Sequence, residues 1–120
     1  MFNTGFPLLG CGVNVSDQDN VTALHLACNR GDVEVVDILL NNGCNVNSKT
    51  MDKTSPLHMA AARGYADVVH SLIQHKANIN TLDTSDRTPL FVAVTWSHID
   101  VVQILLDAGA YINTEEIHGN

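Results

Sequence analysis

TALHLACNRG occupies residues 22–31 of the chain, SPLHMAAARG occupies residues 55–64, and TPLFVAVTWS occupies residues 88–97. The three segments are 33 residues apart, with no gap between units. The correspondence continues to the closing triplets NVN at 45–47, NIN at 78–80 and YIN at 111–113. A fixed period of this length is typical of repeat architectures, in which each unit buries its apolar face against its neighbours. The sequence therefore predicts a stack of three units.

Each repeat opens with the signals of a short helix. The N-cap position holds a hydroxyl residue that can accept from free backbone N–H groups: Thr22, Ser55 and Thr88. Proline follows at the first helical position of repeats two and three, where its missing N–H costs no hydrogen bond. Apolar residues then recur at i, i+3 spacing, as Leu24 and Ala27 do in repeat one. We expect Gly31 and Gly64 to end the first two of these helices with positive φ.

A second helix is predicted from an acidic first turn followed by an apolar face. The acidic residues suit the positive end of the helix dipole: Glu34, Asp67 and Asp100. We expect twelve apolar residues to form the buried faces: Val35, Val36, Leu39, Leu40, Val68, Val69, Leu72, Ile73, Val101, Val102, Leu105 and Leu106. Gly43 and Gly109 then stop the helix, whereas Lys76 holds this position in repeat two. Lys76 costs about 1 kcal/mol if the position requires positive φ.

The 33-residue period, the TALH, SPLH and TPLF openings and the LLNNGCNVN-type closing resemble the ankyrin-repeat family. The resemblance covers residues 10 to about 120. It implies an all-α fold, an ankyrin-repeat solenoid of stacked helix-turn-helix units with β-hairpin or turn loops projecting from one side. We expect repeats at 15–47, 48–80 and 81–113, with the end of a preceding repeat at 1–14 and the start of a truncated one at 114–120.

The chain departs from the family pattern at a few positions. The usual turn glycine before the first helix is replaced by Asn20, Lys53 and Asp86. Ser97 replaces a loop glycine, and Phe91 replaces the histidine of the opening motif. These departures concern local turn geometry and leave the predicted fold unchanged.

The histidines and cysteines do not predict a reaction centre. The resemblance implies that His25 and His58 hydrogen-bond the hairpins and neighbouring repeats. A catalytic histidine would need a nucleophile or carboxylate partner at positions that break the repeat, and the sequence offers none. His25 and Cys28 have i, i+3 spacing, but two ligands on one helix are weak support for zinc. We therefore expect no enzyme activity, no cofactor and no metal.

The composition excludes several classes of partner and favours a location inside the cell. With 13 Asp and Glu against 6 Lys and Arg, the net charge is −7, which opposes binding to a phosphate backbone. No apolar run reaches the roughly 20 residues that span a bilayer, and the N-terminus lacks the basic region of a signal peptide. The three cysteines include no CxxC pair: Cys11, Cys28 and Cys44. We expect an intracellular, cytoplasmic protein, with the nucleus as an alternative.

A candidate interaction surface follows from the predicted concave side. The resemblance implies that this side is formed by the hairpin tips and the exposed ends of the first helices. Arg30, Arg63 and Trp96 occupy one position in successive repeats, and arginine and tryptophan are enriched at interface hot spots. The alternative is that the arginines are solvated helix ends and Trp96 packs against a missing neighbour. The full predicted partner-binding set is Arg30, Arg63, Trp96, Asn29, Thr95, Met51, Arg87 and Val21.

Three asparagines each follow a leucine by eight residues: Asn47, Asn80 and Asn113. In the family, this arrangement resembles sites of intracellular asparaginyl hydroxylation. A hydrogen bond from the asparagine side chain to the hairpin is the alternative, and we favour it as the primary role.

The sequence therefore predicts a non-catalytic protein–protein interaction module, a scaffold or adaptor that binds a protein partner of acidic or mixed charge on its concave face. The alternative function is an inhibitory regulator that occludes an enzyme or a transcription factor. Because repeat three carries Val92, Val94 and Ile104, it suits an interior unit, and we expect the chain to be a short isoform or a piece of a longer array with further ankyrin repeats.

Overall fold

The computed structural model of the chain describes residues 14–112. Six α-helices lie in this range: α1 (Ala23–Arg30), α2 (Val33–Asn41), α3 (Pro56–Arg63), α4 (Ala66–Gln74), α5 (Pro89–Thr95) and α6 (Ile99–Asp107). The described residues form no strand beyond a single bridge between Ser16 and Thr22. The predictions that concern Cys11 and Asn113 lie outside the described residues.

The helices form a stack of three pairs, α1–α2, α3–α4 and α5–α6. The first helices of the pairs contact one another in chain order, and so do the second helices. The core between them is a thin layer that includes Leu24, Leu57, Leu72 and Leu105, all fully buried. The predicted all-α solenoid is confirmed. The pairs lie within the predicted repeats 15–47, 48–80 and 81–113, whose boundaries remain a prediction.

The caps of the first helices form as predicted. The hydroxyl of each N-cap residue accepts from the backbone N–H three residues later: Thr22 from His25, Ser55 from His58 and Thr88 from Phe91. Pro56 and Pro89 begin α3 and α5. Gly31 and Gly64 end α1 and α3 with φ of 78° each, a left-handed conformation that favours glycine.

The turns between the pairs stack on one another through the backbone. Each turn closes on itself, as when the Thr50 N–H donates to the Thr54 carbonyl. Successive turns are joined by bonds from Met51 N–H to the Asp19 carbonyl, at 2.9 Å, and from Thr84 N–H to the Asp52 carbonyl, at 3.1 Å. These bonds hold the hairpin tips in register from one repeat to the next.

The residues that replace the family glycines adopt glycine-like backbone conformations. The φ angles are positive at Asn20 (62°), Lys53 (59°), Lys76 (72°), Asp86 (58°) and Ser97 (58°). The condition under which Lys76 was expected to cost stability, a positive φ, is therefore met. The turn geometry of the family is therefore retained, at the cost of backbone strain at these residues.

The predicted apolar face of the second helices is wrong at two positions. Val35 and Leu106 are both exposed, although all of the other ten residues are buried or half-buried. Val35 lies in the first pair, and its counterparts Val68 and Val101 are fully buried in later pairs. Leu106 lies in the last pair, whereas its counterpart Leu40 is buried. Each exposed residue therefore belongs to an end of the described stack.

None of the described helices has the length and apolar character needed to span a membrane.

Candidate functional site

The two opening-motif histidines connect neighbouring repeats. The backbone N–H of Thr22 donates to Nδ1 of His25 at 3.1 Å, so the ring proton is on Nε2 and is donated to the Thr54 carbonyl at 3.0 Å. His58 repeats the arrangement with the Ser55 N–H at 3.1 Å and the Arg87 carbonyl at 2.7 Å. The linking role that the resemblance implied is confirmed.

Burial keeps both imidazoles neutral. It lowers the pKa of His25 and of His58, and this effect outweighs the opposing influence of the hydrogen-bonded carbonyls. Protonation of Nδ1 would also be unfavourable, because the backbone N–H that donates to Nδ1 would then face a second donor. These groups are therefore fixed parts of the repeat interface and are not available as general bases.

A ladder of asparagine side chains joins the closing segments of the repeats. Oδ1 of Asn47 accepts from the Asn78 N–H at 2.7 Å, and Oδ1 of Asn80 accepts from the Tyr111 N–H at 2.8 Å. Asn14 makes the equivalent bond one repeat earlier, to the Asn45 N–H at 2.8 Å. The favoured hydrogen-bonding role is thus observed at Asn47 and Asn80, while their hydroxylation stays a prediction.

The predicted row Arg30, Arg63 and Trp96 lies at the C-terminal ends of α1, α3 and α5. Both arginines are exposed in the last turn of their helices, and neither makes a hydrogen bond or an ion pair with the residues that the structure describes. Trp96 caps α5 and is 63% exposed. The row therefore presents two uncompensated guanidinium groups and one open indole.

The structure brings Arg63 and Trp96 to the same surface depression, of about 480 Å³, which Ala62 and His98 complete. His98 is held there because its Nε2 lies 3.0 Å from the Ala62 carbonyl, which can only accept. The ring passes so close to Gly64 that a Cβ on that residue would lie 2.5 Å from Nδ1. Repeat geometry alone did not identify His98, whose counterparts are Asp32 and Tyr65.

The other predicted site residues differ in how accessible they are. Met51 and Thr95 are exposed, although the Thr95 hydroxyl donates to the Phe91 carbonyl at 2.9 Å. Asn29 and Val21 are half-buried. Arg87 is exposed, but its Nε donates to Oδ2 of Asp83 at 2.9 Å, so much of its charge is neutralised.

An acidic row accompanies the basic one and was missed among the predicted binding residues. Asp19 and Asp52 are exposed at the tips of the first two hairpins, and Ser85 occupies this position in the third. The 33-residue offset that revealed the arginine row contains this signal as well. In the third repeat, both charged positions are replaced, by Ser85 and Trp96.

A second concavity lies on the outer side of the last helix pair. It is a groove of about 650 Å³ whose apolar lining comes largely from α5 and α6: Leu90, Phe91, Val94, Val102, Leu106, Tyr111 and Ile112. Phe91 occupies the position of the buried His25 and His58, yet it is exposed. The groove is therefore the surface that an adjoining repeat covers at the inner junctions.

The described residues contain no cluster of three or more His, Cys, Asp or Glu residues with metal-binding geometry. Burial, together with the nearby Cys44, raises the pKa of Cys28 to about 12, and burial also raises the pKa of Cys44. Both thiols are therefore protonated and poorly nucleophilic at neutral pH.

A family model described as ankyrin repeats in three copies matches residues 3–83 and again residues 43–116. The chain belongs to the ankyrin-repeat family. Ankyrin repeats are in general protein–protein interaction modules, and the family is typically non-catalytic. The comparison with curated proteins gives no significant match.

Proposed function

We propose that this ankyrin-repeat chain is a non-catalytic scaffold or adaptor module of the cell interior that binds a protein partner on its concave face. The observation that carries the proposal is the row Arg30, Arg63 and Trp96. The two guanidinium groups pair with no described residue, and most of the Trp96 indole is exposed to water. Both kinds of group gain favourable free energy when they contact a partner.

The energetics of this row suit protein recognition. An exposed indole buries a large apolar area at a low entropic cost when a partner covers it, and arginine offers five donors in a planar fork. Residues of these two types carry a disproportionate share of binding energy at interfaces. The proposed surface also includes five further residues: Asn29, Thr95, Met51, Arg87 and Val21.

The three side chains are held at a fixed spacing, which favours binding to a partner without a conformational change. Arg30, Arg63 and Trp96 are attached to helices that contact one another in order, and the hairpins at the opposite ends of these helices are joined by backbone hydrogen bonds. A preformed surface loses little conformational entropy when it binds, so more of the contact energy remains as affinity.

The test is a selection of binders from a displayed protein library against the wild-type chain. The selected binders are then measured against the Arg30→Ala, Arg63→Ala, Trp96→Ala triple variant and against a matched control, Gln74→Ala with Gln103→Ala, on the exposed surface of α4 and α6. Circular dichroism confirms that each variant is folded. We expect at least a hundredfold weaker binding by the triple variant and no change with the control. Binders that retain full affinity for the triple variant would remove the basis of the proposal.

A further inference from the structure

We propose that the row Arg30, Arg63 and Trp96 binds an acidic segment in the polyproline II conformation. Two carboxylates three residues apart pair with Arg30 and Arg63, and an apolar side chain three residues further contacts Trp96. This inference rests on the proposed function, because it names the class of ligand that the concave face takes.

The period of the ligand follows from the period of the stack. α1, α3 and α5 contact one another in order, and directly packed helices lie about 8–10 Å apart. Equivalent side chains on successive repeats are therefore separated by about that distance. A polyproline II helix has three residues per turn and rises about 9.3 Å per turn, so it presents every third side chain to successive repeats.

The other extended conformation does not match this spacing. Along a β-strand, side chains on one face recur every second residue, at about 6.6 Å, or every fourth, at about 13 Å. A strand would therefore place at most one of its carboxylates in register with the two arginines. An α-helix matches the spacing of the two arginines only with side chains seven residues apart, about 10.5 Å along its axis. Its carbonyls already accept the hydrogen bonds within the helix. The free carbonyls of polyproline II remain able to accept from the guanidinium groups.

The charges of the surface set the polarity of the ligand. Arg30 and Arg63 pair with no described residue, so incoming carboxylates do not have to displace an existing partner. Guanidinium and carboxylate groups can form two parallel hydrogen bonds, which gives directional as well as ionic recognition. Asp19 and Asp52 are exposed on the hairpins that precede α1 and α3, at the opposite ends of these helices from the arginines. The residues between the two acids of the proposed segment are neutral.

The third position of the row is specific for an apolar group. Trp96 replaces the arginine there, so the third repeat offers an indole where the first two repeats offer a guanidinium group. The depression beside Trp96, with the fixed His98 as one wall, has room for a proline ring or an aliphatic side chain. Proline-rich segments pack their rings against exposed aromatic faces in other polyproline II complexes.

The experiment uses the fluorescence of Trp96, the single tryptophan of the chain, as the readout. The probe peptide is Glu-Pro-Pro-Glu-Pro-Pro-Leu. The peptide of reversed sequence is measured as well, because a polyproline II segment can bind in either chain direction. The control peptide, Glu-Glu-Pro-Pro-Pro-Pro-Leu, has the same composition but adjacent acids. We expect the better of the two spaced peptides to bind about five- to tenfold more tightly than the control at low salt, and this preference to shrink at high salt.

Charge reversal provides the second arm. In the Arg30→Glu, Arg63→Glu variant, we expect the spaced glutamate peptide to lose its advantage and the matching peptide Lys-Pro-Pro-Lys-Pro-Pro-Leu to gain a similar one. Equal binding of spaced and adjacent acids, or tighter binding of a helical peptide with acids seven residues apart, would overturn the proposed ligand. In that case, the binders selected against the wild type still test the concave face independently.

Discussion

The junction between the second and third helix pairs and the outer face of the third pair use the same sequence positions with opposite results. At the junction, His58 is 3% exposed and Ala61 is completely buried. One repeat later, their counterparts Phe91 and Val94 are both 57% exposed. The junction is closed by the bond from His58 to the Arg87 carbonyl, a bond that Phe91 has no polar atom to make. The difference shows that the burial of a repeated position depends on the presence of a neighbouring repeat.

The opposite end of the described stack gives the converse result. Leu26 of α1 is exposed, whereas its counterpart Val92 in α5 is buried. Each repeat therefore has one face that receives its predecessor and one that receives its successor, and only the inner faces are covered among the described residues. Substitutions that distinguish inner from outer faces test this comparison directly.

The largest effect is expected from His58→Ala. The change leaves the buried Ser55 N–H and the Arg87 carbonyl without their partner and opens a cavity, which should lower the free energy of unfolding by about 2–4 kcal/mol. Phe91→Ala, one repeat later, is the matched control and should cost less than about 1 kcal/mol because Phe91 is largely exposed. Urea unfolding followed by circular dichroism measures both. Equal losses would mean that the outer face is as well packed as the junction.

Gly64→Ala should destabilise the same junction by about 2–3 kcal/mol. The new Cβ would lie 2.5 Å from the His98 ring, and the residue would keep a φ of +78°. Gly43→Ala has a similarly positive φ of +94° but no atom within 4 Å of the added Cβ, so it should cost only about 1 kcal/mol. Thermal unfolding of the two variants separates the steric contact from the backbone strain. Identical melting temperatures would show that His98 yields freely to the new methyl group.

Acidification should weaken the junctions between helix pairs at a higher pH than that at which the carboxylates become protonated. Because the pKa of His25 and of His58 is lower in the folded chain than the ordinary value of 6.5, protons bind preferentially to the unfolded state as the pH falls below that value. Stability is therefore fully present well above pH 6.5 and declines as the pH falls below that value.

The same pH window leaves Asp83 ionised. Burial raises the pKa of Asp83, but the N–H groups of Arg87 and Ser85 and the Arg87 guanidinium outweigh that effect and hold it below the ordinary value. The change is therefore measured as the urea midpoint from pH 7.5 to 5. His58→Gln should reduce the slope, whereas His70→Gln, at an exposed position of α4, serves as the control. A slope that His58→Gln leaves unaltered would contradict the assignment.

The smallest effect is expected away from the junction, at Lys76→Gly. Lys76 has a φ of 72°, so glycine relieves its strain, and the larger entropy of the unfolded chain offsets part of the gain. We expect a net stabilisation of about 0.5 kcal/mol, visible as a small rise in melting temperature. Lys76→Ala keeps the Cβ and should bring no such rise. A destabilised glycine variant would indicate that the lysine side chain contributes contacts of its own.

The sequence alone determined the period, the capping of the helices and the alternation of short helices with turns. The reason is that these features depend on local chemistry: a hydroxyl at Ser55 caps the next turn, and proline at position 56 suits only the start of a helix. The 33-residue offset also placed Arg30, Arg63 and Trp96 in one row, since identical local structures repeat the same geometry.

Only the tertiary structure decided which members of each repeated position are buried. Val35 and Leu106 belong to predicted apolar faces, yet they are exposed because burial depends on the neighbour that a repeat has on each side. The placement of His98 against Gly64 and the Ala62 carbonyl is likewise a contact between residues of different repeats. Local sequence signals specify backbone conformation, but exposure and pairing arise between segments about 33 residues apart, so the structure is needed to show them.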